Sequence, residues 1–187
     1  PLRAFVRFFA NHKLFELGNR PGWRTVRGGS IEYVKRLAKV SPFKTRLSTP
    51  VTAIRRHVRG ADLHLPDGST ETFDAVVLAT HADQALDLIA DPTPRERELL
   101  SPFKTSENRV VLHRDPSLMP RTRRFWSAWN YRGTDGGHDS RLSVTYWMNV
   151  LQKLDTPTGH FVSLNPQNDP APHLTDGTWS YRHPLFN

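Results

Sequence analysis

The chain has 187 residues, with 26 Lys+Arg against 18 Asp+Glu for a formal net charge of +8, 37% apolar residues and 10% aromatic ones. That length suits one domain or two small ones, and five Trp and ten Phe supply the bulk for a core, which excludes a chain disordered along most of its length. No apolar run nears the ~20 residues of a membrane span and there is no Cys, so a transmembrane helix, disulfides, thiolate zinc sites, iron–sulfur clusters and cysteine nucleophiles are excluded. A Cys-free chain fits a reducing compartment, and a cytoplasmic location is expected. The first ten residues lack the basic-then-apolar layout of a signal peptide. The chain starts at Pro1 and stops in HPLFN, and is expected to be an internal segment of a longer protein.

Leu2, Phe5, Val6, Phe8 and Phe9 fall at the spacing of an amphipathic helix with a broad apolar face. A turn cluster at residues 19–22 follows, then a stretch leading into Gly28 and Gly29. Ser30 is the expected N-cap of a second helix, which carries Ile31, Val34 and Leu37 on one face and ends by Pro42. A strand over residues 50–54 extends toward Val58, and Gly60 turns it. Residues 62–65 and 70–73 form a hairpin across the Asp67-Gly68 turn. Residues 75–80 are a continuous short apolar run, expected as a strand buried on both faces in a parallel sheet. A helix over residues 82–89 follows, Pro92 and Pro94 break it, and a shorter helix covers 95–100. The second half reads as antiparallel, with strands at 109–113, 125–131, 142–148 and 160–164 and a hairpin tip at 135–138. After Pro166 no periodicity is visible until Trp179.

The motif inventory is sparse. No two of the nine His lie two to five residues apart, so no local metal motif exists and no metal is expected. A GxSxG elbow, a P-loop and a GxGxxG run are all absent. The basic residues are scattered; the densest clusters are Arg55-Arg56 with Arg59, and the RTRR run at 121–124. They read as solvated strand and loop charges, and no nucleic-acid partner is expected. More telling is the order of elements: a Gly pair opening a helix, a Pro-Val strand, a hairpin, then a buried run ending in small residues before another helix. A Gly pair lets backbone approach a cofactor closely, and small residues at the carboxyl end of a parallel strand leave room for a ligand.

Three strings, RPGWRTVRGGSIEYVKRL, TPVTAI and FDAVVLATHADQAL, resemble the middle of the flavin-containing amine oxidase and phytoene desaturase superfamily. NHKLFEL, ATHADQAL, LHRDPSLMP, WSAWNY, VTYWMNVLQ and LNP resemble, more narrowly, a bacterial clade of NAD/FAD-binding proteins whose relatives form the N-terminal part of plant cyclopropane-fatty-acid synthases. The resemblance covers nearly the whole chain. It implies an α+β or α/β fold, with part of an FAD/NAD(P)-binding domain and an antiparallel-sheet substrate domain. Residues 1–45 would supply the helical part of the substrate domain and the Gly-Gly helix start. Residues 46–90 would belong to the FAD-binding domain, and 91–187 to an incomplete substrate-domain sheet.

The implied cofactor is FAD, held in the full-length protein. Val51 matches the position whose backbone meets the adenine. Gly28 and Gly29 match the pair at the helix start, Arg24 just before them faces cofactor or substrate, and Ala79, Thr80 and His81 match the strand end beside the cofactor. Arg109 lies where amine oxidases carry a lysine beside a flavin-bound water, so ordinary amine oxidation is not implied. Trp126, Trp129, Tyr146 and Trp147 are substrate-side candidates that also serve as sheet packing. No catalytic residue is assigned.

The GxGxxG segment of that superfamily is missing from this chain. The segment alone is therefore expected to be inactive and to bind FAD weakly or not at all. The function implied is that of part of an FAD-dependent oxidoreductase passing a hydride from a small-molecule, lipid or acyl-chain substrate to flavin, with peripheral contact to a membrane surface open. The alternative is a non-catalytic module whose basic and aromatic residues hold nucleic acid or anionic lipid.

Overall fold

The structure is a computed structural model that describes residues 2–16, 18, 22, 24–133 and 143–185. Positions 19–21 of the turn cluster, the hairpin tip at 135–138 and the first residue of the strand read at 142–148 lie outside the described residues. The chain divides into two compact units, Pro1–Ser41 with Glu107–Arg182, and Pro42–Ser106 with His183–Asn187. Among the described residues no helix is long and apolar enough to cross a membrane.

The first unit holds helices α1 (Leu2–Asn11) and α2 (Ile31–Val40). Helix α2 ends at Val40, and its C-cap Ser41 is already extended, one residue before the proline that cannot continue the helix. Its start differs from expectation. Ser30 already has helical dihedrals (φ −64°, ψ −20°), so its hydroxyl caps nothing. Gly28 and Gly29, at φ +84° and +87°, make the sharp approach instead.

The sheet associated with this unit has the order β5-β6-β7-β4-β8. Its strands are β4 (Thr105–His113), β5 (Trp129–Arg132), β6 (Ser143–Trp147), β7 (Phe161–Leu164) and β8 (Thr175–Pro184). Strands β5/β6, β6/β7 and β7/β4 pair antiparallel. A short helix α5 (Met148–Leu151) follows β6 directly. The strand expected at 125–131 is shorter than the sequence suggests, because residues 123–125 form a 3-10 turn first. Strand β8 begins at Thr175, inside the stretch where no periodicity is visible.

Period-two alternation sorts the sheet into two faces. On one face Val111, His113, Ser143, Thr145, Phe161 and Ser163 are all buried. Leu118 and Met119 are buried as well, and Trp126 packs edge-on against Trp147 and Phe161 at ring distances of 5.2 and 5.7 Å. The opposite face carries the cross-strand pair Trp129 and Tyr146, with ring centroids 6.3 Å apart.

The second unit contains a three-stranded antiparallel meander of β1 (Ala53–His57), β2 (Gly60–His64) and β3 (Thr70–Phe73). Gly68 sits at φ +83° in the Asp67-Gly68 turn, which is closed by the Leu65 N–H donating to the Ser69 carbonyl at 2.9 Å. Helices α3 (Ala82–Leu88) and α4 (Pro94–Leu100) follow. The core of this unit is Ile54, Ala61, Leu65 and Ala85. Ile54 also forms a parallel bridge with Ile89, whose neighbour Ala90 donates its N–H to the Ile54 carbonyl at 2.9 Å.

Residues 75–79 depart from the sequence reading. They carry no strand, and Val77 is 91% exposed. A strand buried on both faces needs hydrogen-bonded neighbours and covering layers. Among the described residues no strand pairs with this segment.

Candidate cofactor and substrate sites

In the second unit, Val51, Ala79 and Thr80 line one trough of about 610 Å3 together with Leu63, Val76 and Leu88. Backbone pairing fixes its rim. The Thr52 N–H and hydroxyl both donate to the His64 carbonyl at 2.9 Å, carrying the β1/β2 pairing back to the residue beside Val51. Thr80 donates its hydroxyl to the His81 carbonyl at 3.2 Å. His81 is the residue before α3, and its N–H donates to Gln84 Oε1 at 3.2 Å. Its ring Nδ1 is buried without a hydrogen-bond partner. His81 itself is not among the residues that line the trough.

In the first unit, Arg24 and Trp129 line a cavity of about 630 Å3 with Leu14, Met148, Leu151 and Lys153. Gly28 and Gly29 belong to the same unit but line neither this cavity nor the trough. Trp126 and Trp147 face away from Trp129, into a recess of about 360 Å3 that Arg114 and Arg123 share. The Arg123 guanidinium lies 5.2 Å from the Trp126 ring centre. The four aromatic candidates are thus split between the two faces of one sheet. Burial, with Tyr131 adding to it, pushes the Tyr146 hydroxyl above its ordinary range.

Arg109 lines none of these spaces. It pairs with Asp169 at 2.5 Å, and its N–H donates to Asn165 Oδ1 at 2.9 Å. Other cations are engaged in the same way, Arg114 with Asp176 and Arg46 with Glu71. Among the described residues no group of three or more His, Asp or Glu converges as a metal site.

Sequence reading missed the polar heart of the sheet. His113, fully buried, bonds through Nε2 to Ser163 Oγ at 2.8 Å, and Ser163 Oγ bonds to Thr145 Oγ1 at 2.8 Å. The Asp115 N–H donates to His113 Nδ1 at 3.2 Å. That contact makes Nδ1 the acceptor, so Nε2 carries the proton and donates to Ser163. Burial holds the His113 ring below its ordinary pKa, against the opposing pull of Asp115. Burial pushes the Asp115 carboxyl up, but the N–H groups of Ala171 and Ser117, each 2.8 Å away, outweigh it and hold the carboxyl below its ordinary range. The available signal was alternation: in residues 110–113, His113 shares its face with Val111, so it had to point inward.

Residues 3–158 match the family model described as flavin-containing amine oxidoreductase. No curated protein matches the chain. Two solved structures share its fold. One is the CLA-producing fatty acid isomerase from P. acnes, at 19% identity and a TM-score of 0.51 over 76% of this chain and 31% of that protein. The other is a provisionally assigned protoporphyrinogen oxidase from Exiguobacterium sp. 255-15, at 18% identity and a TM-score of 0.50 over 84% of this chain and 40% of that protein. The chain therefore spans less than half the length of either.

Proposed function

Because the chain belongs to the flavin-containing amine oxidoreductase family, we propose that it is part of an FAD-dependent oxidoreductase acting on a lipid or acyl-chain substrate. The family match across residues 3–158 carries this reading. The residues of the second unit fit a flavin nucleotide. The trough that Val51 lines has apolar walls suited to a flat heteroaromatic ring, and Thr80 and Gln84 add polar groups to the same lining. Val51, Ala79, Thr80 and His81 would hold that group in the second unit. In the first, Gly28 and Gly29 would permit close backbone approach, and Arg24 would meet cofactor or substrate. When bound, the flavin supplies acceptance of a hydride, a two-electron change that no side chain here can perform.

The chain's own residues contribute position and exclusion of water. Trp129, Met148 and Leu151 give the first unit an apolar cavity wall of the kind an acyl chain requires. The fold neighbour named as a fatty acid isomerase agrees with that substrate class. Arg109, held by Asp169 where amine oxidases carry lysine, argues against amine oxidation.

The test is anaerobic mixing of the flavin-loaded full-length polypeptide that contains this segment with acyl lipids and, separately, with primary amines. Bleaching of the flavin absorbance by an acyl lipid is expected. Bleaching by amines alone would overturn the substrate class, and a purified protein unable to take up flavin would overturn the oxidoreductase reading.

A further inference from the structure

We propose that the cavity of about 630 Å3 in the first unit binds an anionic single-chain lipid, with Arg24 and Lys153 receiving its carboxylate or phosphate head and Leu14, Trp129, Met148 and Leu151 enclosing its chain. The assignment rests on the acyl-chain reading above and gives it a site and a charge. Three observations carry it. The lining is predominantly apolar, in the size range of small-molecule sites, and includes two cations but no acid. Neither cation has an ion-pair partner among the described residues, whereas Arg46, Arg56, Arg109 and Arg114 each hold an acid. Cations left without a counter-ion beside an apolar wall form an amphipathic site, selective for a ligand that brings one negative end and one greasy one.

The third observation is backbone strain. Lys153 sits at φ +49°, just past α5, where the Gln152 N–H closes on the Met148 carbonyl at 2.8 Å and the Leu154 N–H on that of Asn149 at 3.1 Å. This left-handed position would suit glycine better. The conformation fixes where the Lys153 side chain leaves the backbone at the edge of the cavity that it lines. Thr25 and Gln152 add neutral hydrogen-bonding groups to the same lining.

The experiment is calorimetric titration of the 187-residue chain with oleate, oleoyl lysophosphatidate and oleyl alcohol, each kept below its micelle concentration. Saturable binding of one anionic lipid per chain is expected, with the alcohol weaker by about tenfold, the worth of a charge-assisted hydrogen bond. The ratio of oleate to lysophosphatidate affinity then tells a carboxylate site from a phosphate site. Lys153→Gly relieves the backbone while removing the charge, so its circular dichroism should be unchanged while it and Arg24→Met each weaken the anionic lipids and leave the alcohol alone. Equal affinity for the alcohol, no saturable binding, or anionic binding that survives both substitutions would overturn the proposal. Saturable anionic binding without flavin bleaching by acyl lipids in the longer polypeptide would keep this site and remove that substrate. Bleaching that ignores Arg24 and Lys153 would do the reverse.

Discussion

At Gly60 a single hydrogen atom decides whether β2 can start beside the end of β3. A Cβ there would lie 2.1 Å from the Phe73 carbonyl oxygen, at a φ of +150°. Gly60→Ala should destabilise the chain by about 2–3 kcal/mol, the upper range of overpacking against an unyielding neighbour. Gly68→Ala meets open space and should lose only the left-handed preference, about 1 kcal/mol; chemical denaturation followed by circular dichroism separates the two. The buried His113 gives a second residue-scale expectation. Its ring is held neutral in the folded chain, below the ordinary value of 6.5. As pH falls through that value the unfolded chain takes up a proton that the folded chain refuses, so stability present above it is progressively lost below it. Denaturation midpoints from pH 8 to pH 5 should show this fall, and a flat profile would contradict the neutral, buried assignment. Ser163→Ala should cost about 1–3 kcal/mol at neutral pH, because it strands the Nε2 proton away from any acceptor.

Among the elements, α4 depends on one cluster. Thr93 caps the helix by accepting from the Glu96 N–H at 3.2 Å, and the Glu96 carboxylate accepts from the Thr93 N–H at 2.7 Å. Arg56 of β1 reaches the same carboxylate at 2.6 and 3.1 Å and the Asp91 carbonyl at 2.7 Å. The Arg56 bond, then the Thr93 bonds, bring the Glu96 carboxyl down to about 2. A depressed carboxyl stabilises above its ordinary value of 4.5 and loses that contribution as pH falls toward about 2. Amide exchange in α4 should therefore accelerate over that window, and Glu96→Gln should abolish the dependence. Elements of this kind were legible in part: the prolines at 92 and 94 separate α3 from α4 and Asp-Gly separates β2 from β3 as local codes, whereas the Thr93 cap was not read. The first half of β8 was not, because residues 175–178 carry no apolar alternation and the strand lies at the sheet edge beside β4. The Ser30 cap was misread because a preceding Gly pair can deliver the chain with the Ser already helical. Of the site, Val51, Ala79 and Thr80 were singled out by the family resemblance and line one trough, whereas Lys153 and His113 owe their places to backbone geometry and sheet pairing that no short motif encodes.

For the whole molecule, the apolar run at residues 75–79 is the exposed liability. Val77 projects almost fully into solvent from a stretch without a paired neighbour, a recipe for intermolecular strand pairing. Val77→Lys should raise the concentration at which the 187-residue chain stays monodisperse in light scattering, without shifting its denaturation midpoint. The division into two units has an optical consequence. All five Trp and all four Tyr fall within Pro1–Ser41 and Glu107–Arg182, and the other unit has neither. Near-ultraviolet absorbance and indole emission are therefore blind to the unit that carries Val51 and His81, and a melting curve recorded with them is a curve for the other unit alone. Replacing Phe73 with Trp would give the silent unit its own chromophore, so that each could be watched unfolding in turn.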